Sequence, residues 1–437
     1  MVLLTSLLAA IVIGPSQNNG TLLSKLFPVP SGKNGYEDYV AAADMADRDL
    51  WGIYQDWLGF LYMKKPGMVV QPGINAPELP PLVNIDMTDL EVRKIMDSRF
   101  SSAIHFVEEG NRKSVVNPHQ VLNLESTFPE LANFKVLSKV DVNKAHVEFA
   151  DGNTSAAVRD LVEGLKFSHN IFGTTRISSL VSVASQTIVL AEFEGHLGQL
   201  SYFDAQDLDK EAKSLLESRL PWEDLLRIDY SAAATDLDAI LDKPDILFSD
   251  PKESAYAQMF SGLSPGERQQ LKTLVIGSLE SRMNDELQRL TGAESGWLIK
   301  DQSTEQNGPL SDHSVSNLAL ILVNSLSGKD LKSSYVKGIA KGRIQLRLLR
   351  LHAQVIEYKW MHNKLPDKLE DFATDGAGFD AIANEPFHYE LKDGSYRIFS
   401  LGIPGLGRIE LRYRNASPAP STEAPPQQFL PIFSALR

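Results

Sequence analysis

The chain has 437 residues, 43% hydrophobic and 23% charged, with a formal net charge of −13 and no cysteine. This composition suits a globular chain with room for a sizeable core, as about two to three domains or one large helical body. The acidic balance disfavours a nucleic-acid surface, which needs clustered lysine and arginine. Without cysteine there is no disulfide framework, thiolate metal site or cysteine nucleophile.

Met1–Ile13 is nearly all apolar. The run is shorter than the ~20 residues of a spanning helix and suits the apolar part of a secretory signal. The basic residues that normally precede such a run are missing, which a start codon placed elsewhere would explain. Residues 1–14 are therefore expected to be a signal peptide or membrane anchor. The protein is then extracytoplasmic or membrane-anchored in the cell envelope, touching the membrane through its N-terminus. The alternative is a buried N-terminal strand or helix.

The first predicted helix runs from Asn34 to Tyr62, with Tyr39, Ala43, Ala46, Leu50, Tyr54, Trp57 and Leu61 at steps of three and four. That aromatic stripe reads as core. Five prolines between Lys64 and Leu82 mark an extended connector, and a helix resumes over Thr88–Glu109. Leu131–Ala150 and Thr154–Ile171 read as an antiparallel helical pair joined at Asp151-Gly152-Asn153. The pair is tetratricopeptide-like, but no second copy recurs at a fixed period. Ile177–Leu197 reads as a central helix buried through Ile177, Leu180, Val181, Ala184, Ile188 and Ala191. Asp207–Arg219 and Trp222–Leu241 continue the helical pattern, and Ile246–Met259 carries no clear signal. Ser264-Pro-Gly-Glu267 has the cap chemistry of a helix start, for a helix reaching Leu290. Gly292–Pro309 reads as a polar loop, and Val315–Val323 as a further helix.

The longest stripe is Leu331, Tyr335, Ile339, Leu346, Leu349, Ala353, Ile356 and Trp360, one buried face of a helix that Pro366 brings to an end near Asn363. Two strand-like pieces follow, Phe387–Leu391 and Tyr396–Leu401, joined at Asp393-Gly394, a hairpin signal. Phe387, Tyr389 or Ile398 is expected to pack on the long helix at Ile356 or Trp360. Residues 414–437 form a proline-rich tail expected to be disordered.

Chemistry is sparse. Glu192 and His196 share a helix face at i, i+4, with Glu194 between them, which could be half of a metal or acid–base site. With no second half visible in the sequence, a solvated helix end is the expectation. His352 and His362 lie out of register and read as surface or boundary residues. No phosphate loop, nucleophile elbow or zinc-protease motif occurs. No catalytic, cofactor-binding or metal-binding residue is therefore assigned, and no cofactor. The polar side of the long helix is basic, with Lys337, Lys341, Arg343, Arg347 and Arg350. That marks a possible interaction face for an anionic partner or surface; otherwise it is a solvated face.

The succession of a helix, Leu365-Pro-x-x-Leu369, Asn384-Glu-Pro-Phe387 and Tyr396-x-x-Phe399-Ser-x-Gly402 resembles the C-terminal half of the type II secretion major pseudopilin. The resemblance covers under a fifth of the chain. It implies a long helix against a small sheet. It does not extend to the calcium loop of that family, because Gly402-Ile-Pro404-Gly405 stands where an aspartate ligand is needed. The N-terminal pilin hallmark is also absent.

The expected fold is mostly α: a multi-helix bundle over residues 34–327, then a small C-terminal α+β module over 328–413. The expected function is a non-enzymatic envelope scaffold or interaction module, with an envelope protein or anionic surface as partner. The alternatives are an exported hydrolase with a dispersed active site, or a component of a type II secretion or pilus-like assembly.

Overall fold

A computed structural model describes residues 32–64, 89–117, 129–173, 176–221, 254–290, 314–327, 329–402 and 406–413, and, with gaps, 223–248. The signal or anchor segment, most of the proline-rich connector, the polar loop after Leu290, the tail and Ile403–Gly405 lie outside these residues. The protein is mostly helical, as its periodicities predict. In chain order the helices are α1 (Gly35–Lys64), α2 (Asp89–Asn111), α3 (Pro129–Ala150), α4 (Thr154–Asn170), α5 (Arg176–His196), α6 (Tyr202–Glu217), α7 (Leu237–Asp242), α8 (Ser254–Ser261), α9 (Pro265–Leu290), α10 (Val315–Ser327) and α11 (Lys329–His362). Five short strands follow: β1 (Phe379–Asp380), β2 (Glu385–Pro386), β3 (His388–Lys392), β4 (Ser395–Ser400) and β5 (Ile409–Leu411). No helix among the described residues is long and apolar enough to cross a membrane.

Local chemistry sets several boundaries. At Ser264 the hydroxyl accepts from the Glu267 backbone N–H while the Glu267 carboxylate accepts from the Ser264 N–H, so the predicted capping box opens α9. A second capping box was not predicted. Ser201 and Asp204 cap each other and start α6 at Tyr202, five residues before the expected Asp207. The β3–β4 hairpin turns at Asp393 and Gly394, with φ of 51° and 74°, the left-handed pair a tight two-residue turn requires. β5 completes an antiparallel sheet in the order β3-β4-β5, and β1 pairs with β2. Neither β1 nor β5 was expected from the sequence. Gly402 is obligatory, since φ is +75° and a Cβ there would meet the Gly407 carbonyl oxygen.

Three apolar clusters hold the fold. One joins α1 to α5, centred on Tyr36, Tyr39, Phe134 and Phe167, whose rings meet edge to face at 4.9–5.6 Å. Such pairs add about 0.5–1.5 kcal/mol beyond area burial. A second joins helices α7 to α10. The largest runs from α3 through α6 into α11 and the sheet, so the C-terminal module shares its core with the helical body. Within it lie Ile356, Phe387, Tyr396 and Ile398, and the hairpin packs against the long helix there.

Two stripes differ from the expectation. Trp360 is 60% exposed and only its indole N–H is engaged, donating to the Leu200 carbonyl at 3.1 Å. The stripe leaves the core after Ile356. In α5, Ile177 and Leu180 are exposed, while Ser178, Ser179, Ser182 and Ser185 are buried. Small serines let neighbouring helices approach closely, and Ser182 Oγ donates to the Ser168 carbonyl across the α4–α5 contact. The inward side of α5 thus mixes these serines with Val181, Val183, Val189, Leu190 and Phe193, and of the expected stripe Val181 is buried, Ala184 and Ile188 are half-buried, and Ile177, Leu180 and Ala191 are exposed.

Candidate functional site

A cavity of about 190 Å³ opens where four segments meet. The end of α4 contributes His169 and Asn170, with Phe172 beyond it. The segment after α6 contributes Ser218, Arg219 and Leu220, α11 contributes Arg343, and Val115 and Asn117 close the remaining side. Three features end α6 in the right place. Its last carbonyls are taken by the Ser218 and Arg219 N–H groups, and Pro221 prevents continuation.

Both arginines are held from behind. Arg343 donates to the Leu220 carbonyl. Arg219 donates to Gln186 Oε1 on α5, and Gln186 Nε2 in turn donates to the Gly342 carbonyl at 2.7 Å. Burial, with Arg343 and Arg347 nearby, pushes the Arg219 guanidinium down to about 9. Among the described residues no carboxylate forms an ion pair with Arg219, and its Nε is buried without a hydrogen-bond partner. Burial and the Arg219 charge also push the His169 imidazole down to about 3, so it is neutral at ordinary pH.

The arrangement binds better than it reacts. Ser218 Oγ and His169 Nε2 are 3.2 Å apart, superficially a nucleophile and its base. A histidine of so low a basicity is a poor proton acceptor at neutral pH. The serine hydroxyl also lies 2.9 Å from the Ser214 carbonyl, within its own helix end. Among the described residues the pocket lining contains no carboxylate to serve as an alternative base. Guanidinium groups in a concave, partly dry site are instead suited to a carboxylate or phosphate, which they grip through paired N–H donors.

The basic stripe expected on α11 faces inward more than outward. Lys341 is exposed, Lys337 and Arg347 are half-buried, and Arg343 and Arg350 are buried. Arg350 pairs with Asp209 of α6 at 2.8 Å and with Asp375 at 3.6 Å. Arg347 lies 4.0 Å from the buried carboxylate of Asp380, which also accepts from Ser400 Oγ at 2.6 Å. These five residues therefore do not form one solvated face, and only Arg343 lines the cavity. His352, expected at the surface or boundary, is fully buried, whereas His362 is exposed. Glu192 and His196 do not form a solvated helix end: both are half-buried, and His146 of α3 meets them. Arg219, His169 and Gln186 were not singled out from the sequence. They lie on α4, on α5 and just beyond the end of α6 and carry no motif, so only the tertiary packing joins them.

No family model, curated protein or solved structure matches the chain. The fold and the pocket thus define only a class: a mostly helical protein with an arginine-lined cavity.

Proposed function

We propose that the protein is a non-enzymatic helical binding protein that takes a small anionic ligand, a carboxylate or an inorganic oxyanion, between Arg219 and Arg343. The observation that carries this reading is Arg219: desolvated, oriented by Gln186, and unmatched by any carboxylate among the described residues. A buried guanidinium without a counter-charge is costly, and an anion in the cavity would relieve that cost. A cavity of roughly 150 Å³ accommodates benzene. A space of about 190 Å³ therefore suits phosphate, sulfate or a short-chain carboxylate rather than a nucleotide.

The test is calorimetric titration with phosphate, sulfate and acetate, alongside thermal melts. At a ligand concentration 100-fold above Kd the native state gains about 2.7 kcal/mol, and Arg219→Gln is expected to remove that gain. An equal gain in both proteins, or none in the wild type, would overturn the reading.

The apolar run of residues 1–14 supports an exported or membrane-anchored protein of the cell envelope. Fractionation of the native host checks this, and recovery in the cytosol alone would exclude it. A role in a type II secretion or pilus-like assembly is a second reading. It is favoured by the succession of long helix, proline turn and antiparallel sheet over residues 331–411.

A further inference from the structure

A second constellation shares no residue with the cavity. Glu192 and His196 occupy one face of the last turns of α5, and His146 approaches from α3. His146 Nδ1 lies 2.8 Å from Glu192 Oε1, and His196 Nε2 lies 3.1 Å from the same oxygen. One ligand atom from each residue can be chosen so that all three lie within 4.8 Å of one another. The two imidazoles stand at 82° to each other, and the Phe149 ring stacks on His196 at 3.9 Å and fixes its plane. Burial pushes the Glu192 carboxyl up, but the hydrogen bonds from His146 and His196 outweigh it and hold the group at about 2. The cluster thus sets a carboxylate oxygen between two converging imidazole nitrogens.

We propose that His146, Glu192 and His196 form a binding site for a first-row divalent transition metal, zinc foremost. The donor set decides the class. Two imidazoles and one carboxylate suit zinc and its neighbours, whereas calcium and magnesium seek oxygen alone. The spacing fits as well. Ligand atoms about 2.0–2.1 Å from a tetrahedral ion are roughly 3.3 Å apart. The two nitrogen–oxygen distances need to lengthen by a few tenths of an ångström, and the nitrogen–nitrogen edge, bounded at 4.8 Å, has to settle at a similar value. The metal would replace the protons each imidazole shares with Glu192, since a neutral imidazole can carry its proton on the other nitrogen. Three protein ligands leave a fourth position for water, the arrangement of an open site rather than a closed structural one. All three residues are half-buried rather than sealed in the core. At His196 the other nitrogen, Nδ1, is buried without a hydrogen-bond partner. Strong zinc sites place an acceptor there, so the affinity is moderate.

The test uses the full chain, freed of metal by a chelator and titrated with zinc chloride in a calorimeter. One zinc per chain is expected. His146→Gln and His196→Gln should each weaken binding by more than the roughly 10–100-fold typical of an outer-shell partner. Glu194→Gln removes a neighbouring carboxylate that accepts from the Arg412 N–H and should bind like the wild type. Cobalt(II) in place of zinc should give the visible absorption of a four-coordinate site, lost in the same two variants. Circular dichroism checks that each variant is folded, and the near-isosteric Glu192→Gln serves if a histidine variant is not. Zinc binding of equal affinity in the histidine variants would place the ion elsewhere and overturn the proposal. No binding by the wild type would reduce the cluster to a hydrogen-bonded triad.

Discussion

His352 offers the sharpest test of how the long helix is joined to the sheet. Its Nε2 lies 2.8 Å from the Leu411 carbonyl of β5 and must donate to it, since a carbonyl only accepts. Its Nδ1 therefore accepts from the Tyr396 hydroxyl of β4, at 2.9 Å. The neutral ring is locked in one tautomer between two strands. Burial, only partly offset by the Leu411 hydrogen bond, pushes its pKa down to about 4. A histidine in the unfolded chain titrates near 6.5, so between about pH 6.5 and 4 the unfolded state binds more protons. The stabilisation is complete above that window and is lost as pH falls through it, by about 2 kcal/mol at pH 5. His352→Leu removes both hydrogen bonds and strands two buried partners, costing about 2–4 kcal/mol at pH 7.5. At pH 5 the wild type has already lost about 2 kcal/mol through protonation, so the gap between the two proteins narrows by that amount. Hydrogen exchange of the β4–β5 amides, read as opening free energies at both pH values, measures it locally. A gap of the same size at pH 7.5 and pH 5 would refute the reasoning.

The remaining predictions concern packing. Gly110→Ala should destabilise by about 1–2 kcal/mol, because the strain of overpacking exceeds the helix-propensity gain. The new Cβ would stand 2.4 Å from the Tyr39 ring, which Asn111 and Asn170 pin through its hydroxyl. An unchanged thermal midpoint would show that the α1–α2 contact yields. Trp360→Ala should cost about 1 kcal/mol, the value of one hydrogen bond, rather than the 3–5 of a core aromatic. A loss above about 3 kcal/mol in denaturant titration would mean that the ring is buried after all.

Periodicity made most helices legible because their buried faces are apolar, and the Asp393-Gly394 turn because its chemistry is local. Three features failed for one shared reason. The inward side of α5 mixes Val181, Val183, Val189, Leu190 and Phe193 with four buried serines, two of whose hydroxyls, Ser179 and Ser182, donate to backbone carbonyls, so an apolar stripe alone misplaced part of the buried face. Trp360 continues a stripe by spacing, yet the side chains from Lys359 to His362 are exposed, and spacing alone does not reveal where the neighbours stop. His146 stands on α3, 46 residues before Glu192, and only the α3–α5 contact brings it within reach. Half of the candidate metal site was therefore visible as an i, i+4 pair, and the other half was a tertiary fact. The same holds for Arg219 and His169.

The basic residues of α11 pose the harder physical question, because an arginine is expensive to bury. From Ile339 to Ile356 every side chain except Lys341 and the half-buried Arg347 is buried, so the helix is enclosed nearly all round. It is not apolar all round, as an enclosed helix commonly is. Arg343, Arg347 and Arg350 follow one another at steps of four and three and so share one side. Moving toward the N-terminus, each meets a different neighbour. Arg350 reaches Asp209 and Asp375, Arg347 reaches Asp380, and Arg343 reaches the backbone carbonyl of Leu220 beside the cavity. Carboxylates thus accompany Arg350 and Arg347, while Arg343 stands beside Arg219, whose guanidinium pKa is lowered by burial and by the charges of Arg343 and Arg347. If charge burial served stability alone, apolar side chains of the same volume would do as well or better. A chain with a net charge of −13 has many acidic residues that could have been placed there. Placing Arg219, which has no carboxylate ion pair among the described residues, at a cavity it shares with Arg343 is the pattern expected where the counter-ion is a ligand.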